Sequence, residues 1–218
     1  LRQALTSTSS HIDTIYITFT TPLDEIPEAV AVAKEFKANI SYTDAKWEVT
    51  EEAVKWLTEF FGYVPHMKVG DKVFRFDWAR NYNLKEIPKD YGWIFWMDTD
   101  DVLRKGQHLK RLAKEGIEKG FEEYYLNYLY QVEHEKGHDD IPIWERPIKN
   151  ILIEHIRERL VRNNGHFKWI APIHETFIEQ TGTNKTDNYD MDVLHTAGLE
   201  DRSFSLDRNL NNLELAIY

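Results

Sequence analysis

Five consecutive apolar residues at 93–97 (WIFWM) run without a break into Asp98, Thr99, Asp100 and Asp101. An unbroken apolar run of this kind reads as a strand buried on both faces, and in open α/β sheets such strands carry ligand-binding residues at their carboxyl ends. Three carboxylates within four positions repel one another there, and burial disfavours their charged forms unless cations or donors neutralise them. A divalent metal is the simplest neutraliser. Mg2+ or Mn2+ takes hard oxygen ligands and commonly bridges one or two carboxylates to substrate phosphates. The plainer reading of the same residues is an Asp-rich loop capping the helix expected from 106.

The rest of the chain has the pattern of one α/β domain. Residues 14–20 (TIYITFT) and 39–42 read as strands, and 27–36 between them as a helix with Pro27 in its first turn. Strand, helix and strand in that order suggest a parallel pair. A helix is expected at 50–61, opened by Thr50 with Glu51 and Glu52 in its first turn, and Gly70 and Asp71 mark a turn between two short strands. Segment 48–74 reads as an inserted helix and hairpin. Further helices are expected at 78–84, 106–119 and 205–217, and strands at 124–132, 158–161, 167–170, 173–178 and 192–195. Polar stretches at 133–149 and 181–190 read as a mobile loop and a turn.

With 218 residues, 42% of them apolar, a single catalytic domain spanning 1–218 with a real core is expected. Net charge is −10, which disfavours non-specific nucleic-acid binding, since that affinity comes from Lys and Arg on phosphates. The chain has no cysteine, so any metal must use oxygen or imidazole ligands. No apolar run is long enough to span a bilayer and no signal peptide opens the sequence, so a cytoplasmic protein is expected. The opening at Leu1 and the helical pattern still running at 213–218 read as ends cut from a longer chain.

Other residues could serve the same centre. His195 closes a strand and is a candidate ligand, although an isolated histidine is more often structural. His174 and Glu175 adjoin in WIAPIHETF, where apolar neighbours raise a carboxylate's pKa towards general-base work, the alternative being an ordinary exposed Glu. Arg80, with Asn81, offers a bidentate donor for phosphate, or else an ion pair with Asp77. Trp169 either stacks on a sugar face or belongs to the core.

The segments FDWARN (76–81), WIFWMDTDD (93–101), RLVR (159–162), WIAPIHE (169–175), VLHTAG (193–198) and DRNLNNLELA (207–216), taken in order, resemble family-2 glycosyltransferases over most of the chain. The resemblance implies a GT-A-like fold, a Rossmann-related mixed sheet flanked by helices, here lacking its first strand because the chain opens in the helix that follows it. It also implies inverting transfer from a nucleoside-diphosphate sugar, UDP-linked, with Mn2+ or Mg2+, to an acceptor that is protein, glycan, lipid or modified nucleobase. Carried onto this chain, Asp98 contacts ribose, sugar or metal, Asp100 holds the metal with His195, and Asp101 supports the site. Glu175, beside His174, is the catalytic carboxylate, while Arg80, with Asp77 and Trp169, holds the donor. Two other readings stay open: a nucleotidyltransferase, which would need basic residues aimed at a triphosphate, and a non-catalytic carbohydrate- or protein-binding scaffold.

Overall fold

The structure is a computed structural model describing residues 1–172, 176–179, 184–196 and 205–218, with backbone alone at 176–179 and 205–209. Helix α1 (Arg2–Thr8) leads into β1 (Tyr16–Phe19), α2 (Pro27–Glu35) and β2 (Asn39–Tyr42), and β1 and β2 pair in parallel, Tyr16 opposite Asn39. Next come β3 (Lys46–Glu48), α3 (Glu51–Phe61) and β4 (Lys72–Phe74). Thr50 caps α3 by accepting the Ala53 N–H at 3.2 Å, and Gly62 ends it in the left-handed conformation at φ 74°, which glycine adopts without strain. The hairpin expected about Gly70 is not formed as read. Only 72–74 is a strand, and it pairs with β3 on the far side of α3. A turn signal marks a reversal without saying which segments it joins.

Helix α4 (Phe76–Glu86), β5 (Trp93–Phe95), β6 (Asp101–Arg104) and α5 (Leu109–Lys119) follow, with a 3-10 turn at Gly106–His108 before α5. The chain continues through β7 (Glu123–His134), β8 (Ile148–Arg162), β9 (Phe167–Ile170), β10 (Thr176–Glu179), β11 (Lys185–His195) and α6 (Ser205–Ile217). Five strands form a mixed sheet in the order β5, β8, β7, β11, β6, with only β7 and β11 parallel. β1 with β2, β3 with β4 and β9 with β10 are separate pairs. The expected mixed sheet is thus present with five strands, and among the described residues the parallel β1–β2 pair stands apart from it. β1 and β5 both line one cavity of about 920 Å³ rather than pairing with each other.

The apolar run before the aspartates packs on both faces, with Ile94 buried and its four neighbours partly so. Trp93, Phe95 and Met97 pack on the cluster of Leu103, Leu112, Tyr124 and Val193. Ile94 and Trp96 pack the other way with Val161, Phe167 and Trp169. Under α5, a β-carbon on Gly116 would lie 2.4 Å from Trp93 Cζ2, so glycine is what lets the helix sit against the ring.

Two strands begin earlier than expected, β8 inside the stretch read as a loop and β11 inside the stretch read as a turn. β8 begins at Ile148, ten residues before the expected 158, and β11 at Lys185 rather than 192. In both, the added part is largely exposed and gains its order from ladder pairing with β7, so it carries no alternating apolar signal. No helix among the described residues is long and apolar enough to cross a membrane.

Candidate active site

The site forms where β5 stops and β6 starts. The turn between them closes on itself: the Asp101 N–H donates to the Asp98 carbonyl at 3.1 Å and the Asp98 N–H to Asp101 Oδ2 at 3.2 Å. β6 then runs antiparallel to β11, and the register sets Asp101 directly opposite His195. Pairing of two sheet strands thus brings the aspartate run and the late histidine together. The Thr196 N–H and hydroxyl both donate to the Asp100 carbonyl, at 2.8 and 2.6 Å, and fix that end of the turn.

The three carboxylates differ in their partners. Asp98 accepts from Arg80 Nη2 at 2.7 Å. The Arg80 guanidinium lies 4.8 Å from the ring centres of both Trp96 and Trp169, a cation–π setting that holds its plane. Asp101 is fully buried. Its Oδ1 receives the Tyr128 hydroxyl at 3.0 Å and lies 3.2 Å from His195 Nδ1, while its Oδ2 lies 3.3 Å from Arg159 Nη2. Among the described residues no arginine pairs with Asp100. Its half-exposed side chain lies 4.0 Å from His195 Nδ1 and lines the 920 Å³ cavity together with Asp98, Thr99, Arg80, Trp169 and His195.

Electrostatics follow from these partners. Burial, reinforced by the Asp101 charge, raises the Asp100 pKa above the ordinary aspartate value. The hydrogen bond to Asp101 raises His195 against the opposing effect of burial. Burial also raises Tyr128, keeping its hydroxyl protonated and donating. The Tyr128 hydroxyl lies 3.1 Å from His195 Nδ1 as well; in the neutral imidazole, donation from Nδ1 to Asp101 Oδ1 would leave the lone pair on Nε2, the usual way a carboxylate prepares a histidine for a metal. Tyr130 stacks on the imidazole at 4.8 Å, 3° from parallel, and fixes the ring further.

Asp100, Asp101 and His195 each offer a ligand atom within 4.8 Å of the others. The expected metal group was Asp100 and His195 with Asp98. The structure brings the first two together, whereas Asp98 is engaged by Arg80. Arg80 pairs with Asp98 rather than with Asp77, which is buried and held by Arg75 at 2.7 Å. Asn81 clamps the backbone of Trp169, accepting its N–H at 3.0 Å and donating to its carbonyl at 2.8 Å, and Trp169 is itself buried. His174 and Glu175 lie outside the described residues.

Reading the sequence did not single out Arg159, Tyr128 or Tyr130. The aromatic strand at 124–132 and the RLVR segment contain them, yet nothing local marks these three among their neighbours. As a donor set, two carboxylates and one imidazole suit a divalent ion that tolerates mixed oxygen and nitrogen ligation. The cavity's size lies in the range of small-molecule and cofactor pockets. No protein-family model matches the chain, and no curated protein matches it.

Proposed function

We propose that the chain is a metal-dependent, inverting glycosyltransferase that uses a nucleoside-diphosphate sugar, UDP-linked, in a GT-A-like setting in the cytoplasm. The observation that carries this reading is the cavity of about 920 Å³ with Asp100, His195 and the Arg80–Asp98 pair all on its wall. Asp100 and His195 would hold a Mn2+ or Mg2+ ion, and the imidazole favours Mn2+. Bound there, the ion supplies positive charge to the leaving diphosphate.

The chain's own residues do the remaining work. Asp98, oriented by Arg80, accepts hydroxyl hydrogen bonds from the ribose or the sugar, and the Arg80 guanidinium adds positive charge on the donor side. Trp169 backs Arg80 and sets its position, while Asp77 acts at one remove by anchoring Arg75 at the start of α4. Glu175, with His174 next to it, is assigned as the base that takes the acceptor's proton while the acceptor attacks the anomeric carbon opposite the diphosphate. The acceptor class is a protein, glycan, lipid or modified base.

The test is a thermal-shift titration with UDP, UDP-glucose and GDP, each with and without Mn2+, repeated on Asp100→Ala. Stabilisation by a uridine nucleotide that needs the metal and vanishes in the variant is expected, because a ligand bound only by the folded state raises its stability. Glu175→Gln should keep that shift and lose transfer. Absence of any nucleotide shift would overturn the reading in favour of a scaffold.

A further inference from the structure

Arg159 is almost wholly buried, with 1% of its side chain exposed against a completely buried Asp101. It stands at an irregularity in the β7–β8 ladder: Tyr124 pairs with Leu160 and Tyr125 with Glu158, so Arg159 is skipped in the β7 register, while on the other side its carbonyl accepts the Trp96 N–H at 3.0 Å. Such a bulge adds one residue to a strand and re-aims side chains near functional sites. Here residues 158–161 are all buried in succession, because β8 runs between β5 and β7. The guanidinium lies between the Trp96 and Tyr128 rings, 4.0 and 4.5 Å from their centres. Among the described residues Nε and Nη1 have no hydrogen-bond acceptor, and Nη2 is the nitrogen that approaches a carboxylate, Oδ2 of Asp101.

That contact fills Asp101. Its two oxygens face Tyr128 Oη, His195 Nδ1, the Asp98 N–H and Arg159 Nη2. Four partners match the roughly four lone-pair sites of a carboxylate. A metal ion could reach Asp101 only by displacing one of them. Asp100, half exposed and paired with no arginine among the described residues, has no such constraint.

We propose that Arg159 is a positioning residue that withdraws Asp101 from metal binding and keeps it as the orienter of His195. The protein then offers a divalent ion two ligands, Asp100 and His195, and leaves the other coordination positions to diphosphate oxygens. This rests on reading the cavity as a metal–diphosphate site. Its consequence is metal binding that depends on the nucleotide, since two protein ligands leave most of the ion's coordination to be supplied by substrate.

The experiment titrates Mn2+ against the protein by loss of the free-ion EPR signal, with and without UDP, on the parent, Asp100→Asn, Arg159→Met and the double variant Asp101→Asn/Arg159→Met. The double variant keeps the net charge and an Oδ1 acceptor for His195 and Tyr128. It should bind Mn2+ within about threefold of the parent, whereas loss of a ligand or of its orienter costs on the order of 10- to 100-fold. Arg159→Met alone, which releases the Asp101 charge towards the ion, should bind Mn2+ tighter by roughly tenfold or more, a gain that a purely structural residue would not give. Should that single variant fail to fold, the double variant and Arg159→Lys, expected to bind like the parent, carry the test. A loss beyond tenfold in the double variant, with the parent binding normally, overturns the proposal and leaves the site reading intact. A parent that takes up no Mn2+ with or without UDP overturns both.

Discussion

Replacing Asp101 by asparagine removes one negative charge and changes little else in shape. The amide oxygen can still accept from Tyr128 and His195, but the amide nitrogen then faces Arg159 Nη2 and the Asp98 N–H, donors against a donor. Arg159 is left a buried cation between two rings, and breaking a buried pair in this way costs about 3–5 kcal/mol. Unfolding entropy near 60 °C is about 2.1 cal/mol/K per residue. For 218 residues that makes about 0.46 kcal/mol/K, so the melting temperature should fall by about 7–11 °C. Circular-dichroism melts near neutral pH in EDTA measure this directly. Adding Arg159→Met should recover most of the loss, because a neutral pair of similar volume can replace a buried ion pair at little cost. If Asp101→Asn melts within about 2 °C of the parent, the charge of Arg159 is compensated elsewhere and the argument from four donors fails.

Two further outcomes follow from other contacts. Gly116→Ala forces a β-carbon to within 2.4–2.5 Å of the Trp93 ring. Overpacking of about 1–3 kcal/mol should exceed the helix-propensity gain of about 1 kcal/mol, and Trp93→Phe in the same chain should relieve it; thermal melts of the three variants decide. The site also sets a pH dependence. His195 has its pKa raised by the Asp101 hydrogen bond, so its contribution to stability is complete below its unfolded value of about 6.5 and is lost as pH rises through the folded value. Asp100, raised by burial, has the same sign from its own lower starting point. Metal binding removes protons from both groups, so affinity for Mn2+ should weaken as pH falls from about 8 to about 6. Melting curves against pH in EDTA and in Mn2+ should therefore diverge as pH rises, and parallel curves would contradict the assignment of these two residues.

Much of the fold could be read because its elements announce themselves locally. Tyr16–Phe19 and Asn39–Tyr42 are short runs of strand-forming residues around a proline-led helix, and they pair as that order suggests. The α3 boundaries follow from Thr50 and Gly62. What escaped was held by partners rather than by pattern. The outer half of β8 is exposed over 149–156, and its cross-strand neighbours in β7 are what order it. β6 was missed because Asp101 opens it; a fully buried aspartate at the start of a strand reads as loop until its donors are known.

The same limit governs the site. In the sequence Asp98, Asp100 and Asp101 are three equivalent carboxylates, and their crowding argued for a metal. The structure answers that crowding for two of them with arginines, one 18 residues earlier in the chain and one delivered by a bulge in β8. Repulsion therefore no longer demands an ion. The case for one now rests on Asp100, which pairs with no arginine among the described residues, and on His195, whose Nδ1 lies between it and Asp101 at 4.0 and 3.2 Å. That is a narrower claim than the one the aspartate run first suggested, and a more exposed one: it assigns the metal to the one aspartate of the three whose replacement by asparagine should abolish binding without leaving an arginine stranded.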